Sequence, residues 1–186
     1  MGIYVLVKKT VIPEGFTART VILDIEDSYG GSGIGLRSVD FYSNDSLIDI
    51  EEDDLESYYP DDEGRNGMRP FITAYSKTGS YTGTSYYING SFQRIICEFK
   101  SPITFDKIII NNFHDYGEIT NNGAKTVRMF ISTSGMGEDI SDDWSGEIAN
   151  CTTIFEGDFD RHIDSDVIDN QQLSISDLGE CVFEGP

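Results

Sequence analysis

The chain holds two histidines, His114 and His162, 48 residues apart. A metal triad built from histidines alone is therefore impossible, and any Ser-His-Asp relay would have to centre on one of these two. No nucleophile elbow accompanies either. His114 lies in Asn111-Asn112-Phe113-His114-Asp115-Tyr116, where an apolar run gives way to polar residues, and it reads as a loop histidine. Gly31-Ser32-Gly33-Ile34-Gly35 lacks the spacing of a phosphate loop, and no helix pattern follows it to supply converging N–H groups. Asp158, Asp160 and Asp164, with Asp166 and Asp169, are closely spaced oxygen donors. Their D-x-D-x-x-x-D-x-D order departs from the EF-hand loop, so the expectation is no cofactor beyond a structural Ca²⁺ on Asp158, Asp160 and Asp164.

The segment from Tyr58 to Ser91 carries a different chemistry. It holds six tyrosines (Tyr58, Tyr59, Tyr75, Tyr81, Tyr86, Tyr87) among Gly, Ser and Thr, with little core patterning. Tyrosine offers a large contact face, two side-chain torsions and a polar tip, and small polar residues add adaptable hydrogen bonds. Such a surface suits a sugar, whose apolar ring faces stack on aromatics, and it equally suits a protein. The residues expected at the contact are Tyr81, Tyr86, Tyr87, Arg65 and Arg69, with Asn111, Asn112 and His114 on a neighbouring loop. Tyrosines would stack, arginines would bond hydroxyls or acidic groups, and the amides would fix orientation.

The elements that must position these residues are strands. Thr20–Ile25 is β-branched and apolar; Leu36–Tyr42 places Val39 and Phe41 on one face. Arg94–Phe99 alternates Ile95, Cys97 and Phe99 inward, and Val127–Ser132 does the same with Val127, Met129 and Ile131. Phe105–Asn111, Cys151–Phe155 and Cys181–Phe183 complete the set, with Gly- and Asn-rich turns between. No window shows a convincing helical period, and Ile48–Tyr59 is the best helical candidate. Short strands joined by such turns predict an all-β, antiparallel β-sandwich in one domain. Its core spans about residues 17–157, with an N-terminal extension over 1–16, a long inserted loop, and an irregular acidic C-terminal arm over 158–186. That arm packs, if it packs, through Ile163, Val167, Ile168, Leu173, Ile175 and Leu178.

At 186 residues the chain is long enough to bury a core without disulfides or metal. Its three cysteines, an odd number, predict buried free thiols. A net charge of −20 argues against nucleic-acid binding and against an anionic membrane surface. The charge is uneven: residues 43–64 carry ten acids and no base, residues 65–137 a net +4, and residues 138–186 fourteen acids and one base. MGIYVLVKKTVIPEG lacks the order of a secretory signal, and no apolar run is long enough for a membrane span, so the expectation is a soluble chain made in a cytoplasm.

Two stretches carry a resemblance. Gly33–Ile48 (GIGLRSVDFYSNDSLI) is a turn, a strand ending in aromatics and a polar turn. Ile103–Ser132 (ITFDKIIINNF…NNGAKTVRMFIS) is a buried strand, an Asn-rich loop and a strand with a V-x-M-x-I face. With Asp143-Trp144 and Thr152–Phe155, they resemble galactose-binding-like, discoidin-type jelly rolls of phage tail and bacterial surface proteins. The resemblance implies a non-enzymatic module with its ligand in end loops, on a virion assembled in the host cytoplasm. Its implied partners are neighbouring virion subunits in an oligomeric assembly and a cell-surface glycan. The chain departs from the pattern in lacking a bridging cysteine pair, in the 58–91 insertion and in lacking a secretory signal. A purely structural tail or capsid role and a bacterial carbohydrate-binding module are the alternatives.

Overall fold

The computed structural model describes residues 15–59, 69–73, 77–80, 86–89, 93–135, 151–168, 170–175 and 177–178. These residues form ten strands and three short 3-10 turns, with no α-helix among them. The strands are β1 (Phe16–Ile25), β2 (Gly33–Ser43), β3 (Ser46–Leu47), β4 (Leu55–Tyr59), β5 (Tyr86–Asn89), β6 (Gln93–Phe105), β7 (Lys107–Asn112), β8 (Thr126–Ser132), β9 (Thr152–Asp158) and β10 (Asn170–Ser174). They make two antiparallel sheets. The first runs β4-β6-β1-β8-β9; the second runs β10-β7-β2-β3, with β5 also paired to β2.

Both sheets bury their alternating apolar faces in one core. Val21, Leu23 and Ile25 of β1 meet Val39 and Phe41 of β2, Ile108 and Ile110 of β7, and Val127 and Met129 of β8. This is the sandwich-like consequence of period-2 patterning, since each strand offers one apolar face that needs a covering layer. Phe41 lies at its centre, stacked on Phe71 at 6.1 Å, edge-on to Phe99 at 6.3 Å and tilted against Phe105 at 4.9 Å. The inward faces expected for Leu36–Tyr42, Arg94–Phe99 and Val127–Ser132 are the ones observed.

Four segments differ from expectation. Ile48–Tyr59 is extended, with one 3-10 turn at Glu52–Asp54, because its crowded acids supply no apolar stripe for a helix to bury. Phe105–Asn111 divides at Asp106, where the Asp106 N–H donates to the Tyr42 carbonyl and the chain turns from β6 into β7. The insertion is not all loop: Arg69–Phe71 is a 3-10 turn that seats Phe71 and Ile72 in the core, and residues 86–89 extend the second sheet. The acidic arm is not irregular throughout, because β10 pairs with β7 and Leu173 and Leu178 are buried. Ile163, Val167 and Ile168 of the same arm are exposed.

Cys97 is a buried free thiol and burial pushes its pKa up; Cys151 is free and half-buried. Cys181 and the Cys181–Phe183 strand expectation lie outside the described residues. Among the described residues no helix is long and apolar enough to cross a membrane.

Candidate functional site

The outward face of β2 begins at an irregularity. In the β2–β7 ladder Leu36 pairs with Asn112 and Ser38 with Asn111, so Arg37 is the extra residue of a bulge. A bulge of this kind re-aims the side chain that sits on it. Arg37 is 1% exposed, and its guanidinium donates to backbone carbonyls on two segments. Nε and Nη2 reach the His114 carbonyl at 3.0 and 2.7 Å, Nη1 reaches the Ser80 carbonyl at 3.2 Å, and Nη2 also donates to the Gly79 carbonyl. Burial lowers its pKa, and the charges of Asp115 and Asp166 act against that shift. The group stays a cation, since guanidinium does not deprotonate in proteins.

Segment 77–80 is fixed to the second sheet by more than Arg37. Lys77 forms an ion pair with Asp40, which is buried on β2. The Lys77 carbonyl accepts from Asn111 Nδ2 at 3.3 Å and from His114 Nε2 at 2.9 Å. Gly79 donates its N–H to Asp166 Oδ1 at 2.8 Å, and its carbonyl accepts the Tyr116 N–H at 3.0 Å. A short stretch of chain is thus held at both peptide edges and through one side chain. Beyond Ser80 the chain re-enters the sheet at β5, which pairs Tyr86 with Leu36 and Tyr87 with Gly35.

His114 is fully buried and stacked on His162, with ring centroids 4.0 Å apart and planes 17° from parallel. The Gly117 N–H donates to His114 Nδ1 at 3.0 Å, so Nδ1 accepts and Nε2 carries the proton donated to the Lys77 carbonyl. Desolvation, then the neighbouring His162 and Arg37, push the His114 pKa down to about 4, against the pull of Asp166 3.8 Å away. The ring is neutral in the fold and takes a proton near pH 6.5 when unfolded. The unfolded chain therefore binds more protons between about pH 6.5 and pH 4, and stability falls as pH drops through that window. The shift corresponds to about 3 kcal/mol. His114→Gln is expected to flatten this part of the stability profile, measured by urea unfolding at several pH values. Equal slopes in wild type and variant would remove His114 as the cause.

The loops carrying His114 and His162 pack closely. Gly117, at φ +80, lies where a Cβ would come within 2.2 Å of the Ser165 carbonyl carbon, so only glycine permits the approach. Thr120 Oγ1 donates to Asp164 Oδ1 at 2.8 Å and accepts from Arg161. Tyr116 and Ile119 adopt left-handed backbone at φ 50 and 57, a conformation that is strained for a β-branched residue such as Ile119.

The expected contact residues divide into three groups. Tyr81 and Arg65 lie outside the described residues. The Tyr86 and Tyr87 backbones are in β5 and that of Arg69 opens the 3-10 turn at Arg69–Phe71. Asn111, Asn112 and His114, expected at the contact on a neighbouring loop, are all buried because segments 77–80 and 160–166 cover this end of the sheet. Asn112 Nδ2 donates to the Ala124 and Asp160 carbonyls, and its Oδ1 accepts the Phe113 N–H. These three side chains hold loops in place. Tyr116 and Ile119, exposed on the same loop, escaped the sequence reading; their only signal is apolar residues set in a polar turn.

The three carboxylates expected at calcium are engaged separately. Asp158 accepts from Thr126 Oγ1, Asp164 accepts from Thr120 and lies near Arg161, and Asp160 bonds through its backbone to Gln171 and Asn112. Among the described residues no three His, Cys, Asp or Glu side chains are grouped to hold a metal ion. A groove of about 170 Å³ lies at another place, between Ile48–Ile50, Asp54 and Phe99–Ile103. It is smaller than the roughly 300–1,000 Å³ of small-molecule pockets. No family model, curated protein or solved structure matches this chain.

Proposed function

We propose that this chain is a non-enzymatic binding module on a virion, a jelly-roll sandwich of galactose-binding type whose end loops contact a host-surface glycan. The observation that carries the reading is the bracket around residues 81–85. Arg37 fixes Gly79 and Ser80 on one side of that segment, and β5 pairs with β2 on the other. Tyr81 thus follows one anchored flank in sequence, and Tyr86 and Tyr87 open the other, β5. Anchored flanks lower the ordering entropy that a flexible loop loses on binding. Asn111 and His114 serve the site by holding Lys77, not by touching the ligand.

The test is a glycan-array and whole-cell binding screen of the purified chain, with calcium and with chelator. Replacing Tyr81, Tyr86 and Tyr87 together by alanine is expected to weaken binding by at least about tenfold, since each stacked aromatic contributes about a kilocalorie or more. Unchanged binding by that variant would overturn the proposal. Loss of wild-type binding with chelator would add a metal to the site.

A further inference from the structure

Five apolar side chains stand exposed on the two loops that the His114–His162 stack joins: Tyr116, Ile119, Ile163, Val167 and Ile168. Tyr116 and Val167 expose 65% and 66% of their surface. Scattered single exposures of this kind need no explanation, but five on two loops that pack together concentrate apolar surface at one end of the molecule, as contact surfaces do. The backbone holds two of them outward at a cost, because Tyr116 and Ile119 adopt left-handed conformations that asparagine or glycine would accept more readily.

The charges around them select the partner. Glu118, Asp160, Asp164 and Asp166 are exposed on these loops and Asp115 is half-buried, against two bases, Arg161 and, at the end of the first loop, Lys125, which lies 3.9 Å from Asp27. Nucleic acid and anionic membrane are repelled by such a rim, and a second copy would bring a net charge of −20 with it. We infer that Tyr116, Ile119, Ile163, Val167 and Ile168 form a docking face for a partner protein segment that combines apolar side chains with lysine or arginine. The apolar groups supply burial and the acidic rim steers and orients the cationic partner. This face stands independently of the glycan reading, because none of its residues lies in the 81–87 segment.

The test uses the full chain and short fluorescein-labelled synthetic peptides measured by anisotropy at low and high salt. One peptide alternates leucine and lysine, the second replaces leucine by serine, and the third replaces lysine by glutamate. The leucine–lysine peptide is expected to bind about tenfold tighter than either control, and to weaken as salt rises. Replacing Ile119, Ile163 and Val167 together by asparagine is expected to remove that preference, while thermal unfolding stays at or above the wild-type midpoint because asparagine relieves the strain at position 119. Val167→Asn alone, at the most exposed of these positions, keeps the test valid if the triple variant folds poorly. Equal binding of the leucine–lysine and serine–lysine peptides would overturn the inference, as would equal binding by wild type and variant. Self-association of the wild type that the asparagine variant abolishes would assign the face to a second copy and overturn it too. Glycan binding by the triple variant is expected to be unchanged, which separates this face from the tyrosine segment.

Discussion

Replacing Arg37 by alanine is expected to lower stability by about 3 kcal/mol and to release segment 77–80 from the second sheet. The buried guanidinium is a donor that the half-buried Gly79 and Ser80 carbonyls share with the buried His114 carbonyl. Hydrogen bonds from a charged donor contribute about 1.5–3 kcal/mol each. The buried His114 carbonyl, deprived of this donor, adds a desolvation penalty, whereas the Gly79 carbonyl keeps the Tyr116 N–H. The full sum will not appear, because segment 77–80 can move outward and let water reach its carbonyls. In a chain of this size about 3 kcal/mol corresponds to a midpoint shift of roughly 6–12 °C. Hydrogen exchange should show the amides near 77–80 losing protection well before the core strands do. Arg37→Lys should be intermediate at best, since an ammonium lacks the planar fork that reaches two segments at once. On the proposal that the tyrosine segment binds a glycan, Arg37→Ala should weaken that binding by releasing the segment's flank. A variant with wild-type protection at 77–80 would show that the Lys77–Asp40 pair and the Asn111 and His114 bonds hold the segment by themselves.

Phe41→Ala is expected to cost about 3–5 kcal/mol, a midpoint drop of roughly 6–20 °C. Its ring is fully buried and contacts three others, one from β6's apolar half, one from the β6 end and one from the 69–71 turn. No neighbour can close the space without moving a strand. Phe41→Leu should cost much less, about 1 kcal/mol, because most of the volume remains. The pairing with Phe71 gives a sharper check. Combining Phe41→Leu with Phe71→Leu should show a coupling of about 0.5–1.5 kcal/mol in urea unfolding. Strict additivity would mean that the 69–71 turn does not seat on the core.

The local pattern of the chain was sufficient for most strands. Alternation at Val39 and Phe41, at Ile95, Cys97 and Phe99, and at Val127, Met129 and Ile131 is a property of neighbouring residues, and burial of one strand face follows from it directly. The all-β class and the antiparallel arrangement came from the same signal together with the turn residues between the runs. The pairing of β5 with β2 and of β10 with β7 had no such signal, because NQQLS and YYIN become strands only by completing the open edge of a strand already in place.

The candidate site was legible in residue type and not in orientation. Ser38 and Asp40 alternate with Val39 and Phe41 and so fall on the opposite face of β2, whereas Arg37 shares the parity of Val39 and Phe41 until the bulge re-aims it. Asn111, Asn112 and His114 are expected at a ligand contact. All six are buried. Nothing within β2, β7 or the loop that follows says so, because the cover comes from residues 77–80 and 160–166, far away in the chain. Alternating hydrophobicity determined, from the sequence alone, that these segments would be strands and which face would meet the core. The tertiary structure alone decided which polar groups lost water on the other face, since desolvation depends on what packs over a residue and not on what flanks it.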